Sequence, residues 1–221
     1  MITTFEFDPK RAAKAGNIAR NLLQKGSGFY KLTIKQADIE QVDSGAQCLH
    51  LWVIDEDECP TSLNLWLYGK DGSRLFGHNF LDAIMGLLEI ETITAKPSKV
   101  YSWRDPKNTP PIDGQRLVEL EKKTIGMVLQ RVTDHDRSWE DSDGVKRPSV
   151  SFQILHVCDP VTQKTYSEMS AKTEAKFVPN CLAKLQDRVI GEAPKDTFTS
   201  APKPAAVSTA SPLDLDEDCP F

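Results

Sequence analysis

Two short stretches decide the fold: Gln47-Cys-Leu-His-Leu-Trp-Val-Ile54 and Ser62-Leu-Asn-Leu-Trp-Leu-Tyr68. Both alternate with a period of two, which places successive side chains on opposite faces of a strand. In the first, Leu49, Leu51 and Val53 share one face and His50, Trp52 and Ile54 the other. In the second, Leu63, Leu65 and Leu67 face one way and Asn64, Trp66 and Tyr68 the other. The intervening Asp55-Glu-Asp-Glu-Cys-Pro60 is turn-like, so the two strands pair antiparallel. Their leucine faces are the expected core. Their other face is an aromatic shelf of Trp52, Trp66 and Tyr68, with His50 and Asn64 between.

Outward from this hairpin, Gly28 to Ile39 reads as a preceding strand, closed by the turn signal Asp43-Ser-Gly45. Asn79 to Ile90 carries Phe80, Leu81, Ile84, Met85, Leu87 and Leu88 and reads as a largely buried helix. Residues 95–116, with Pro97, Pro106, Pro110 and Pro111, read as a loop-like insert around Val100-Tyr-Ser-Trp103. Thr124 to Thr133 and Val150 to Val157 read as a fourth and fifth strand on either side of a polar loop, Asp134 to Pro148. Pro179 to Val189 reads as a last helix with Leu182, Leu185 and Val189 inward and Gly191 as its stop. Three strands, a helix and two more strands predict a mainly β, five-stranded Greek-key barrel of the OB type over residues 28–190. In front, residues 1–27 predict a basic helix started by Asp8-Pro9 and stopped at Gly26, with Lys10, Arg11, Lys14, Arg20 and Lys25 as its only charges after Pro9. Behind, residues 191–221 predict a flexible Pro/Ala/Ser/Thr linker and an acidic tip.

The 221 residues carry 27 Lys+Arg and 32 Asp+Glu, a formal charge of −5. Asp214, Asp216, Glu217 and Asp218 concentrate that excess at the end. Setting these four of the 32 acids aside leaves 28 against 27 bases, so the body is close to neutral and local basic patches can form on it. The odd set Cys48, Cys59, Cys158, Cys181 and Cys219 contains no C-x-x-C pair. With no basic-plus-apolar leader at Met1, a reduced cytoplasmic protein is expected.

A row of exposed rings next to cations is the pattern that binds unpaired nucleotides, because every base has a face to stack. Candidate nucleic-acid contacts are Trp52, Trp66, Tyr68 and His50, with Lys31, Lys35, Lys70 and Arg74 near the strands. Trp103 and Arg104 in the insert, and Arg137, Trp139, Lys146 and Arg147 in the loop before the fifth strand, extend the set. The rival expectation is that the shelf is a protein or oligomer interface. Acid clusters at 55–58 and 134–136 sit in turn signals, where carboxylates are ordinarily solvated. His156-Val-Cys158 with Cys181 lacks zinc spacing, and neither G-x-x-x-x-G-K-[ST] nor G-x-G-x-x-G is present. No enzyme activity, metal or cofactor is expected.

The end of the chain, Asp214-Leu-Asp-Leu-Asp-Glu-Asp-Cys-Pro-Phe221, resembles the tip of bacterial-type single-stranded-DNA-binding proteins; many phage members of that class also end in acids and a final Phe. Here Cys219 stands where an aliphatic residue usually precedes Pro-Phe. The resemblance implies sequence-independent binding and protection of single-stranded DNA. It also implies recruitment of replication, recombination and repair proteins through Asp214, Asp216, Glu217, Asp218, Pro220 and Phe221.

Overall fold

The computed structural model describes residues 22–141 and 144–191. The expected N-terminal helix, apart from its last residues, and the whole acidic tip lie outside the described residues. Within them the chain is mainly β, with eight strands in one connected sheet. The strands are β1 (Gly28–Gln41), β2 (Gln47–Ile54), β3 (Pro60–Tyr68), β4 (Lys96–Val100), β5 (Ile112–Arg116), β6 (Thr124–Glu140), β7 (Lys146–Cys158) and β8 (Arg188–Ile190). Three helices, α1 (Gly77–Leu87), α2 (Tyr166–Ser170) and α3 (Phe177–Leu182), complete the fold with short 3₁₀ turns at Leu22–Lys25 and Val118–Leu120. Among the described residues no helix is long and apolar enough to cross a membrane.

The long strand β1 organises the sheet. Its first half, Gly28 to Thr33, pairs antiparallel with β6, and its second half, from Thr33 to Gln41, pairs antiparallel with β2. The register slips between Ile34 and Gln36, a bulge that bends the strand so that it can serve two partners. β2 continues to β3, with Leu49 opposite Leu65 and Leu51 opposite Leu63. On the other side β6 pairs with β7, and β3 and β7 approach one another without a ladder. The concave side is filled by Leu32 and Ile34 of β1, the leucine faces of β2 and β3, Ile125, Met127 and Leu129 of β6, and Leu81 and Ile84 of α1. Each fully buried Leu or Ile stabilises by about 1.5–3 kcal/mol.

Four parts differ from the sequence reading. The 95–116 insert is a β-hairpin arm in which β4 pairs with β5. Pro97 lies in β4, whose only described ladder is the one to β5, where a missing N–H is tolerated; the other prolines fall in the connection. The polar loop 134–148 is mostly strand, since β6 runs on to Glu140 and β7 starts at Lys146. Both faces of that extension are solvated, so no apolar alternation announces it. The last helix ends at Leu182, and Val189 enters β8, parallel to Val132–Asp134 of β6. Asp187 holds that crossing in place: its carboxylate accepts from the Ser27 N–H (2.9 Å) and hydroxyl (2.6 Å) and pairs with Arg131. Finally α2, absent from the sequence reading, is started by a capping box between Thr165 and Glu168.

Candidate nucleic-acid interface

The outer face of the β2–β3 hairpin is built as its alternation dictates. His50 lies opposite Asn64 and Trp52 opposite Ser62. His50 is held from both sides, Nδ1 at 2.9 Å from Asn64 Oδ1 and Nε2 at 2.9 Å from Glu40 Oε2. Trp66, 46% exposed, stands near the far end, four residues along β3 from the partner of Trp52, or about 13 Å away. Tyr68 belongs elsewhere. It is half-buried against the core and meets the His78 ring edge-on at 4.6 Å. The cause is the return of the chain after β3. The Leu75 N–H donates to the Leu67 carbonyl at 2.9 Å, and Gly77 starts α1 so close to the Trp66 carbonyl that any side chain there would collide with it.

The β4–β5 arm covers the other end of the shelf. It is tied down by Gln36, which is 3% exposed. The Gln36 carbonyl oxygen accepts the Tyr101 N–H at 2.9 Å, and its amide nitrogen donates to the Tyr101 carbonyl at 3.2 Å and to Asp38 Oδ1 at 2.9 Å. One side-chain amide thus satisfies both main-chain groups of an arm residue, as a neighbouring strand would. Between arm and sheet lies a groove of about 440 Å³, walled by Trp52, Tyr101 and Trp103 and floored by Gln36, Asp38, Glu40 and His50. Burial raises the pKa of the Asp38 carboxyl. No Lys or Arg lines this groove.

Trp103 also lines a second groove of about 620 Å³, which continues past Arg104 to Trp139, Pro148 and Val150 on the β6–β7 extension. Arg104 lies over the Trp103 ring, 5.2 Å from its centroid, and Trp139 is 56% exposed. Three of the four tryptophans in the chain therefore line the two grooves, Trp52 the first, Trp139 the second and Trp103 both.

The cations divide into two groups. Lys31 lies 3.4 Å from Glu56, Arg147 2.9 Å from Asp141, and Arg137, although well exposed, 3.8 Å from Asp134. Lys35, Lys70, Arg74 and Lys146 are exposed and have no salt-bridge partner among the described residues. Lys70 and Arg74 follow β3 and line neither groove. Gln36, Asp38 and Tyr101 are site-forming residues that sequence reasoning left out of the candidate set. Tyr101 stands in the Val100-Tyr-Ser-Trp103 run, but Gln36 and Asp38 sit in the mixed stretch Ile34-Lys-Gln-Ala-Asp38, which carries no local signal for a site.

The acid cluster at 55–58 builds a turn, whereas that at 134–136 lies within β6, where the pairing with β7 is irregular between Asp134 and Trp139. Asp55 is buried, accepts the N–H groups of Asp57 and Cys59 at 3.0 and 2.9 Å, and pairs with Lys25. Burial opposes the Lys25 charge, but hydrogen bonds to Asp55 and Asp57 outweigh it and raise its pKa. Asp134 accepts the N–H groups of Asp136 and Arg137 at 3.0 and 3.1 Å. Among the described residues no group of three or more His, Cys, Asp or Glu is placed to hold a metal ion. Cys158 and Cys181 pack with Val128 and Val178, and burial pushes the Cys158 thiol up to about 12.

No protein-family model matches the chain, and no curated protein matches it.

Proposed function

We propose that this chain is a non-enzymatic, largely sequence-independent binder of single-stranded DNA. The observation that carries this reading is the set of rings along two grooves that share Trp103, with Trp52 on the first and Arg104 and Trp139 on the second. It offers rings at intervals along a trough, as an unpaired strand requires, and each stacked base is worth about 1–3 kcal/mol by alanine substitution. Duplex DNA cannot present its bases to such a trough and binds poorly.

An OB-type barrel is the architecture that fits this reading. In support, β1 is shared between β2 and β6, a helix follows β3, and β3 approaches β7. In that fold the face of strands two and three, with the loops around it, takes oligonucleotides. Phosphates would run along Lys35, Arg104 and Lys146, with Arg137 and Arg147 at the rim and Lys31 beside Lys35. Lys70 and Arg74 would serve a strand that continues past Trp66. The acidic Pro-Phe tip would recruit replication, recombination and repair proteins by filling an apolar pocket with Phe221 while a cation takes the terminal carboxylate.

Titration with oligo-dT tests the proposal. Tryptophan fluorescence should be quenched, with an affinity that falls linearly in log–log plots against salt. An unchanged emission at low salt would sink the reading. The acidic floor of the first groove favours one rival, a protein-interaction or self-assembly module. On that rival, Trp52→Ala lowers the oligomer size in solution and leaves no DNA affinity to lose.

A further inference from the structure

The first groove has a composition that a phosphate cannot share. Asp38, Glu40 and Asp113 line it with Gln36, Gln41, Gln115 and Ser62; no Lys or Arg is in the lining, although Lys99 pairs with Asp113 from outside at 2.8 Å and His50 lies 2.9 Å from Glu40, which leaves Asp38 as the carboxylate without a cationic partner among the described residues. A nucleotide backbone placed there would meet like charge in a partly desolvated site. The walls are instead flat rings, Trp52, Tyr101 and Trp103, and the volume is that of a small-molecule site. What fits is the uncharged, planar, hydrogen-donating part of a nucleotide.

The floor narrows the choice of base. Gln36, Asp38 and Glu40 alternate along β1 and so share one face. The Gln36 amide occupies one lone pair of Asp38 Oδ1. A carboxylate has about four acceptor sites, and Asp38 Oδ2 has no hydrogen-bond partner among the described residues. Two adjacent N–H donors therefore meet an acceptor already fixed in place. Guanine alone of the four bases presents two adjacent donors, N1–H and the 2-amino group, next to a carbonyl oxygen. Cytosine and adenine offer one amino group beside an acceptor. Thymine offers a single N–H between two carbonyls, which the carboxylates would repel.

Resting on the single-strand reading above, we propose that the groove between the β4–β5 arm and strands β1 and β2 is a nucleobase pocket that prefers guanine, held by Asp38 between aromatic walls. Binding outside this groove stays indifferent to sequence, so the protein would register on guanines within an unpaired strand.

The test uses the full chain and four probes at fixed salt: an all-dT 20-mer and the same strand with one central dG, deoxyinosine or dA. The dG strand should bind about tenfold tighter than all-dT. Deoxyinosine, which lacks the 2-amino donor, should lose most of that gain, and dA should fall between dG and all-dT. Asp38→Asn, which keeps the acceptor for Gln36, should bring the ratio of dG to all-dT close to one. The inosine comparison needs no variant and decides the matter even if that substitution unfolds the protein. Equal affinity for all four strands, or a preference for all-dT, overturns the guanine pocket and leaves single-strand binding standing. No quench with any strand overturns both.

Discussion

Gln36 is the residue on which the arm depends. It sits at the bulge in β1 and satisfies both backbone groups of Tyr101. Gln36→Leu keeps the volume but leaves partly buried partners without hydrogen bonds, at about 1 kcal/mol. Amide exchange at Tyr101 should quicken and strand affinity should drop; a protected Tyr101 amide in the variant would rule the clamp out. Trp52→Ala should weaken oligo-dT binding by about 1–3 kcal/mol, measured by anisotropy, whereas Tyr68→Ala should act on stability, because its ring packs on His78 rather than facing the trough. Glu168 gives a pH prediction. It is 4% exposed, and burial alone favours its neutral form. The N–H groups of Lys176, Thr165 and Phe177, at 2.6, 2.8 and 3.0 Å, with the Thr165 hydroxyl, outweigh burial and lower its pKa. A lowered folded pKa stabilises fully above the ordinary glutamate value of about 4.3 and loses that stabilisation as pH falls through the folded value. Thermal melts of Glu168→Gln should therefore show a lower Tm at neutral pH and a shallower acid limb than the parent.

At the scale of elements, the arm and the β6–β7 extension are separable from the core. The arm meets β1 through two residue pairs, Asp38 with Arg116 and Ile39 with Gln115, and Ile112 at its edge is 67% exposed. Replacing residues 98–114 with two glycines should shift Tm little while removing one wall of each groove. We expect at least a tenfold loss in strand affinity, since about 1.4 kcal/mol suffices for that. A large fall in Tm with affinity intact would make the arm structural. On the extension, Lys146→Ala should weaken every strand equally and reduce the salt slope by roughly one. This is the region where sequence reading was least informative. A strand pair with both faces solvated has no period-two contrast, so residues 134–148 looked like a loop. The leucines of β2 and β3, by contrast, could sit only on a buried face.

For the whole molecule the charge distribution matters more than its sum. Four of the five net negative charges lie in the last eight residues. On the proposed function, a strand and the acidic tip are both polyanions and would compete for the same cations. Deleting residues 212–221 should tighten oligo-dT binding at low salt, and the difference should shrink as screening grows. Identical isotherms with and without the tip at low salt would remove it from the electrostatics of binding.

Local pattern alone determined the β2–β3 hairpin, its leucine core face, the presence of a helix after β3 and the composition of the tip. Each rests on periodicity or composition over a few neighbouring residues. The pairing of β1 with both β2 and β6, the arm, the turning of Tyr68 onto His78 and the placing of Trp52, Trp103 and Trp139 along two grooves were decided only in three dimensions. The tryptophans lie 36 to 87 positions apart along the chain, β1 and β6 pair across 91 to 101 (Thr33 with Thr124, Gly28 with Leu129), and Tyr68 depends on how a turn returns the chain; no short-range periodicity encodes which distant segment a bulged strand or a glutamine amide will capture.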